Sequence, residues 1–378
     1  MSEKLPRWNL PEVDFLTTDP QEIKSAIIAE YEKVSGRTLA QGDPVRLYLL
    51  SVASIIIELR QAVNHSAQQN LLSYAQGEYL DALGVLLSVE RLPASRATTK
   101  IKFQLSQELA NAFTIPKGFL ITNGVVTFAT DAALIISAGD TEGIMSAHCT
   151  VAGTKGNGYL PGQLATIVSP LTFLESAVNT VETEGGAEIE DDADYAERIR
   201  LAPDSFSVAG PVKAYIFHAK SVSSSIVDVS IYSPSPGIVN VYPLLEGGIL
   251  PGEALLEEVE NHLNDETIRP LTDEVHAIAP AAKNYQIKVE YWISKNDSFK
   301  SASIQQKVQE AVQKFKTWQQ EKIGRDITPS KLVALLVEAG VAVIKDSTFS
   351  PASYVEVPKY QVAQCTGVTI NYLGLKDE

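Results

Sequence analysis

Between residues 19 and 36 the apolar positions Ile23, Ala26, Ile27, Tyr31 and Val34 recur at helical spacing. Asp19-Pro20-Gln21-Glu22 supplies the start: Asp at the N-cap, Pro at the first helical position, and Glu22 to close a capping box. Gly36 fits the C-terminal stop. Asp43-Pro44 repeats the start signal, and no Gly or Pro follows until Gln76 is passed. At 1.5 Å per residue the run from Val45 to Gln76 predicts a helix reaching about 50 Å. Its first half is apolar all round, with Leu47, Leu49, Leu50, Val52, Ile55, Ile56, Ile57 and Leu59. A helix apolar on every side must be covered on every side. Two coverings stay open: a helix of a partner chain, or the interior of its own domain. Leu47, Leu50, Ile55, Ile56 and Leu59 are the candidate partner-helix interface.

From about Ala97 to Thr183 the period changes. Lys100-Ile101-Lys102-Phe103-Gln104-Leu105 alternates, and Phe119-Leu120-Ile121 and Val125-Val126-Thr127-Phe128 are strand-like. Pro116-Lys117-Gly118, Asn123-Gly124 and Gly139-Asp140 punctuate them as turns, which predicts a small antiparallel β domain. After Gly185-Gly186 an acidic lead-in, Glu188 to Asp194, precedes a helix containing Tyr195, Ile199 and Leu201, and Gly210-Pro211 opens another helix, Val212 to Lys220. Strands follow at Ile226–Tyr232 and Ile238–Tyr242, hinged by Ser233-Pro234-Ser235-Pro236-Gly237, then an amphipathic helix from Gly252 to Leu263. A second α+β stretch has a strand at Tyr285–Ile293, helices at Ser301–Lys322 and from Thr328-Pro329 through Ala339, and strands at Val341–Ile344 and Val368–Ile370.

The expected fold class is therefore α+β and multidomain. An N-terminal helical (bundle) segment takes residues 1–95, an antiparallel β domain 96–184, and two α+β lobes 185–280 and 281–378. Element order alone suggests that the two lobes are versions of one module. There is no short internal repeat or low-complexity tract.

Composition narrows the function classes. With 45% hydrophobic and 20% charged residues in 378, the chain can bury several cores. A formal net charge of −15 gains nothing from counterion release, which argues against nucleic-acid binding. Cys149 and Cys365 are too far apart for a disulfide framework or metal knuckle and read as two reduced thiols. Met1 to Trp8 has no apolar signal-peptide core. The most apolar stretch, Leu47–Ile57 between Arg46 and Glu58, falls short of the ~20 residues of a membrane span, so no direct membrane insertion is expected.

Candidate chemistry thins out on inspection. Gly153-Thr154-Lys155-Gly156-Asn157-Gly158 lacks the Gly-Lys-Ser/Thr ending of a phosphate loop and lies among strands, so it reads as a turn. His65, His148, His218, His262 and His276 show no metal-binding spacing, and His148 and Cys149, being adjacent, should face opposite sides of a strand. The run Glu188, Glu190, Asp191, Asp192, Asp194 lacks the order of a calcium loop and suits the positive end of a helix. No nucleophile elbow is present. No catalytic residue, metal ligand or cofactor is expected.

Several spaced segments together resemble the baseplate J family of contractile tails. They are Gly77-Glu78-Tyr79-Leu80-Asp81-Ala82-Leu83-Gly84 with Arg91-Leu92-Pro93-Ala94; Ile115-Pro116-Lys117-Gly118 with Phe128-Ala129-Thr130; and Gly153-Thr154-Lys155-Gly156-Asn157. Further along come Gly185-Gly186, Tyr195-Ala196-Glu197-Arg198-Ile199, Gly210-Pro211 and Ala214-Tyr215. Pro236-Gly237, Arg269-Pro270-Leu271-Thr272-Asp273 and Ile323-Gly324-Arg325-Asp326-Ile327 complete the set. No single piece is specific; their shared order across residues 75–345 carries the likeness. Gly77, Asp81, Arg91, Pro93, Gly185, Gly186, Arg198, Gly210, Pro211, Arg269, Pro270 and Asp273 then read as fold determinants.

The resemblance implies a non-enzymatic wedge subunit that rings the hub and spike of a baseplate. Implied partners are a second wedge protein, the sheath initiator, hub and spike proteins and further copies of the chain, with N-terminal helices in a shared bundle. It implies assembly in the bacterial host cytoplasm, into a phage or a phage-tail-like particle such as a tailocin. The alternatives are a tail-associated cell-wall hydrolase, which needs a catalytic cluster, and a receptor-binding tail protein, which tends to extended β repeats.

Overall fold

The computed structural model describes residues 4–206 and 210–377, and Met1–Glu3, where the signal-peptide reading begins, lie outside them. Its contacts divide the chain into two units: Met1–Arg91 with Asp191–Arg200, and Leu92–Glu190 with Leu201–Glu378.

The first unit is helical, with α1 (Pro20–Ser35), α2 (Pro44–Gln68), α3 (Gly77–Val85) and the start of α4 (Asp192–Ser205). Asp19 caps α1 through its carboxylate, which accepts from Gln21 N–H at 2.7 Å, and Gly36 ends it in the left-handed region at φ 66°. The expected capping box does not close. Glu22 instead accepts from the Thr17 hydroxyl at 3.0 Å, because the chain before Asp19 folds back within its reach. Helix α2 also stops earlier than expected. The Asn70 side chain donates to the carbonyls of Ser66 (3.1 Å) and Ala67 (3.4 Å), satisfying backbone acceptors that would otherwise call for another turn. Its 25 residues span about 37 Å rather than 50. The sequence segmentation put residues 191–200 with the third segment, whereas their contacts group them with this unit.

The second unit begins with a nearly closed antiparallel barrel. Its strands are β1 (Thr98–Leu105), β2 (Phe113–Ile115), β3 (Leu120–Thr122), β4 (Thr127–Thr130), β5 (Leu134–Ile136), β6 (Glu142–Cys149), β7 (Thr166–Ile167) and β8 (Leu174–Asn179). Six of them run in the order β7-β3-β4-β6-β1-β8, while β2 and β5 form a separate pair. Alternation places Ile101 and Phe103 fully inside and Lys100, Lys102 and Gln104 on the outer face. Burying a ring such as Phe103 contributes about 1.5–3 kcal/mol. Asn179 helps to close the barrel: its Oδ1 accepts from Leu164 N–H, and its amide donates to the Leu160 and Val181 carbonyls.

Beyond α4 come α5 (Val212–Lys220), β9 (Ile226–Ser235), β10 (Ile238–Leu245), α6 (Glu253–Leu263) and β11 (Glu274–Ala277). Strand β9 runs through Ser233-Pro234-Ser235, so only Pro236-Gly237 makes the turn, with Gly237 at φ 82°. The last lobe holds β12 (Ala281–Ser294), α7 (Ser301–Gln320), α8 (Pro329–Glu338), β13 (Val343–Ile344) and β14 (Gln361–Lys376). The strand expected at Val341–Ile344 shrinks to two residues, because Val341 N–H is taken by Leu336 O at the end of α8. The strand expected at Val368–Ile370 grows to sixteen residues, because it pairs with all of β12. In both lobes the middle strand has one parallel and one antiparallel neighbour. Their element orders differ: helix-strand-strand-helix-strand in one, strand-helix-helix-strand-strand in the other.

Candidate functional site

Helix α2 leaves its apolar side open. Leu47, Ile55 and Leu59 are 57%, 65% and 63% exposed, and Leu50 and Ile56 are half-buried against the rest of the unit. Tyr48, Ile55, Leu59 and Val63, seven and then four residues apart, form an exposed stripe. The opposite flank is occupied by the chain's own residues 13–17. Asn64 accepts from Phe15 and Leu16 N–H and donates to Leu16 O, Arg60 donates to Thr17 O, and Gln68 donates to Val13 O. Counting only Leu47–Ile57 understated the helix. All 25 residues are helical, and an 18-residue window with no more than two charges is long and apolar enough to cross a membrane by length and composition, with 11% of it buried.

The twelve motif positions gather into a few clusters. In the first, Arg91 bridges two carboxylates, Asp81 and Asp192, each at 2.8 Å. The Gly77 N–H donates to Asp192 at 3.0 Å. Arg91 also lies over the Tyr195 ring at 4.6 Å, and Arg198, buried, donates to Glu90 O and approaches the same ring. The Tyr195 hydroxyl donates to Val89 O at 2.8 Å. Segments more than a hundred residues apart are thereby pinned together around one buried tyrosine.

A second cluster fixes the segment leaving the barrel. Asn157 and Gly186 exchange two hydrogen bonds, at 2.7 and 2.9 Å. A Cβ on Gly186 would come within 2.5 Å of Gly153 O, so only glycine fits there. Ser95 donates to Gly185 O at 2.7 Å. The Glu188 carboxylate accepts from Thr154 N–H and hydroxyl, which hold it below the usual carboxylate range. Pro93 lies in the connection between Leu92, whose N–H donates to Glu190, and Ser95, which pairs with Ala187. The glycine-rich 153–158 loop contains a short 3-10 turn at Thr154–Gly156, and its contacts also clamp the backbone around Gly186 and Glu188, which the turn reading did not include.

The third cluster joins Gly210 and Pro211 to residues 269–273. The Tyr215 hydroxyl donates to Asp273 at 2.5 Å, and burial followed by that carboxylate pushes the phenol above its ordinary range. Arg269 donates to Asp273 O at 2.9 Å. Gly210, at φ 73°, has room for no Cβ: Pro270 Cγ would be 2.9 Å away. Leu271, between them, is 95% exposed.

The acidic run is consumed by local bonding. Glu188 and Glu190 take backbone N–H groups, Asp191 accepts from Asp194 N–H, and Asp192 holds Arg91. Among the described residues no group of three His, Cys, Asp or Glu is placed to hold a metal. His148 bonds Asp131 while Cys149 is buried on the other side of β6. The fold does bring His218 and His262 together, with ring centroids 5.9 Å apart. A cavity of about 800 Å³ in the second unit is lined by Glu182, Glu184, Glu246 and Glu321, with no histidine or cysteine.

Gly84, Tyr195, Asn157 and Tyr215 carry these clusters, yet their chemistry is invisible in the chain. Each lies inside one of the segments that carry the family likeness, but its partners lie 5 to 111 residues away, 58 for Tyr215 and Asp273.

Four family models match the chain in order: Baseplate J-like N-terminal domain over residues 42–98, Baseplate J-like protein barrel domain over 100–186, Baseplate J-like central domain over 207–279, and Baseplate J-like protein C-terminal domain over 285–371. Baseplate protein J of Escherichia phage P2 is 33% identical over 186 residues, which make up 48% of this chain and 58% of that protein. The match thus spans little more than half of that relative. A cryo-EM structure of the anti-feeding prophage (AFP) baseplate, 6-fold symmetrised, contains a chain similar over 93% of this one and 90% of its own length, at 12% identity and a TM-score of 0.40, too low to bear on the argument. The four consecutive matches, together with a fold of helical segment, barrel and two α+β lobes, place the chain in the Baseplate J-like family.

Proposed function

We propose that the chain is a structural wedge subunit of a contractile-tail baseplate, in a phage, a tailocin or another contractile injection particle. Its proposed partners are a second wedge protein, the sheath initiator, hub and spike proteins and other copies of itself, with assembly in the bacterial host cytoplasm. The observation that carries this reading, beside family membership, is the exposed apolar stripe of α2. Leu47, Ile55 and Leu59 are 57–65% exposed, so removing what remains of each from water on a partner helix is worth about 1–2 kcal/mol for each side chain. The motif residues support it by their manner of use, since the twelve positions gather where segments distant in the chain are bound to one another. In this reading they are fold determinants, and α2 with Leu47, Leu50, Ile55, Ile56 and Leu59 is the bundle interface. Wedge contacts of this kind hold an extended sheath until a trigger rearranges them.

The test is the mass in solution of the chain co-expressed with the products of neighbouring tail genes. A stable mixed complex is expected. Ile55→Asp with Leu59→Asp should abolish it and leave the melting temperature of the isolated chain unchanged, since both positions are exposed. A chain indifferent to every neighbour overturns the reading. Recovery of the chain in detergent-extracted membranes would assign α2 to lipid instead, and cell-wall digestion by the pure chain would assign it to the hydrolase class.

A further inference from the structure

We propose that the outer edge of β14 is a self-pairing edge, on which a second copy of this chain adds its own β14 antiparallel to form one continuous sheet. The proposal deepens the wedge reading by naming how copies of the subunit meet.

Strand β14 is the last strand of the sheet β13-β12-β14 and, among the described residues, pairs only with β12. Its beginning is covered on the outside: Gly324 N–H donates to Gln361 O, and the Gln364 amide donates to Gly248 O. From residue 366 to 376, among the described residues, its backbone makes no hydrogen bond to any element but β12, and within the strand only Gly367 O accepts from the Cys365 thiol, at 3.4 Å. That leaves a long row of unpaired donors and acceptors.

Proteins protect such edges with lysines, prolines, inward charges or β-bulges, and the two bulges of β14 fall toward its ends, between residues 365 and 367 and between 372 and 375, leaving 367–372 regular. Here no charged residue and no proline occurs from Gln361 to Leu375, in a chain of net charge −15. Two copies would repel across most surfaces, yet two β14 edges can meet without opposing like charges. The side chains agree. Val368, Ile370, Tyr372 and Leu375 are in register with Ile287, Val289, Tyr291 and Ile293 of β12, the row that packs under α7 and α8. On β12 that row is at most 1% exposed, whereas on β14 Val368 and Leu375 remain 45% and 42% exposed, since no further strand among the described residues covers them. A two-fold axis through Ile370 keeps every residue on its own face, sets Ile370 against Ile370 of the copy, and sets Val368 against Tyr372. The apolar row then runs on across both copies.

The experiment uses the full chain alone. Sedimentation should give twice the 41.0 kDa chain mass. Val368→Lys with Leu375→Lys places like charges along the edge and should weaken the dimer by at least about tenfold. The change at exposed positions leaves the fold intact, as checked by circular dichroism. Independently, Ile370→Cys should cross-link to itself under mild oxidation. The α2 variant Ile55→Asp with Leu59→Asp should still dimerise. A chain monomeric at every concentration, a dimer abolished by the α2 variant but not by the β14 variant, or no cross-link through Cys at position 370 overturns the proposal. The wedge reading, tested by mixed complexes, stands or falls separately.

Discussion

The hydroxyl of Tyr195 donates to Val89 O directly over Gly84, and a Cβ on Gly84 would lie 1.9 Å from that hydroxyl oxygen. Helix α3, the turn after it and α4 therefore meet at one point with no spare volume. Gly84→Ala should destabilise the helical unit by about 1–3 kcal/mol, the range for overpacking a filled site. Tyr195→Phe keeps the ring and loses one hydrogen bond, costing about 1 kcal/mol. Urea unfolding should rank the two in that order; an inverted ranking would contradict the packing described.

Arg91 holds Asp81 and Asp192 at once, with its own side chain 15% exposed. The carboxylates are 49% and 28% exposed, so solvent screens the pair and the loss on Arg91→Met lies between the surface and buried limits, about 2 kcal/mol. Lysine cannot span both carboxylates with one planar fork, so Arg91→Lys should recover less than half of it. Equal stability of the lysine variant and the parent chain would show that the planar fork contributes nothing, and equal stability of the methionine variant that the bridge itself contributes nothing.

Tyr215 and Asp273 close the third cluster. Tyr215→Phe leaves a carboxylate without its donor and should cost about 1.5–3 kcal/mol, as for a hydrogen bond to a charged group. Gly210→Ala should do at least as much harm, since it combines a positive φ with a contact to Pro270. Hydrogen exchange should place the extra opening in residues 210–277 and leave the barrel protected.

His218 of α5 and His262 of α6 meet with their rings tilted at 55°. Burial, then the neighbouring His262, pushes His218 down to about 4, and burial lowers His262 against the pull of Asp265 and Glu258. Both titrate near 6.5 when unfolded. A folded value below the unfolded one means that the stabilisation is complete above about pH 6.5 and is lost as pH falls toward 4. The melting temperature should therefore drop across that window, and His218→Gln with His262→Gln should flatten the drop. A parallel pH profile in the double variant would remove the pair from the cause.

Much of the secondary structure was legible, because capping and periodicity act within a few residues. Asp19-Pro20, Asp43-Pro44, the alternation of Ile101 and Phe103, and the stripe Ile304, Val308, Val312 and Phe315 all hold. The failures lie where a distant partner decides. Strand β14 extends to sixteen residues because β12 is there to pair with it; the early end of α2 is the exception, set by the nearby Asn70 side chain. The motif residues were recognisable as a set, but their clusters were not, since Arg91 and Asp192, or Tyr215 and Asp273, are neighbours only after folding.

By itself the sequence determined the family likeness, the order of helical, β and α+β segments, the over-apolar helix and the lack of a recognisable catalytic motif, because each is written in local pattern or in the order of motifs. Tertiary structure alone decided that the stripe of α2 stays uncovered, that glycine is obligatory at positions 84, 186 and 210, that two histidines share one helix contact, and that β14 is left with an open edge. These depend on which surfaces meet in space, and chain separation carries no record of that.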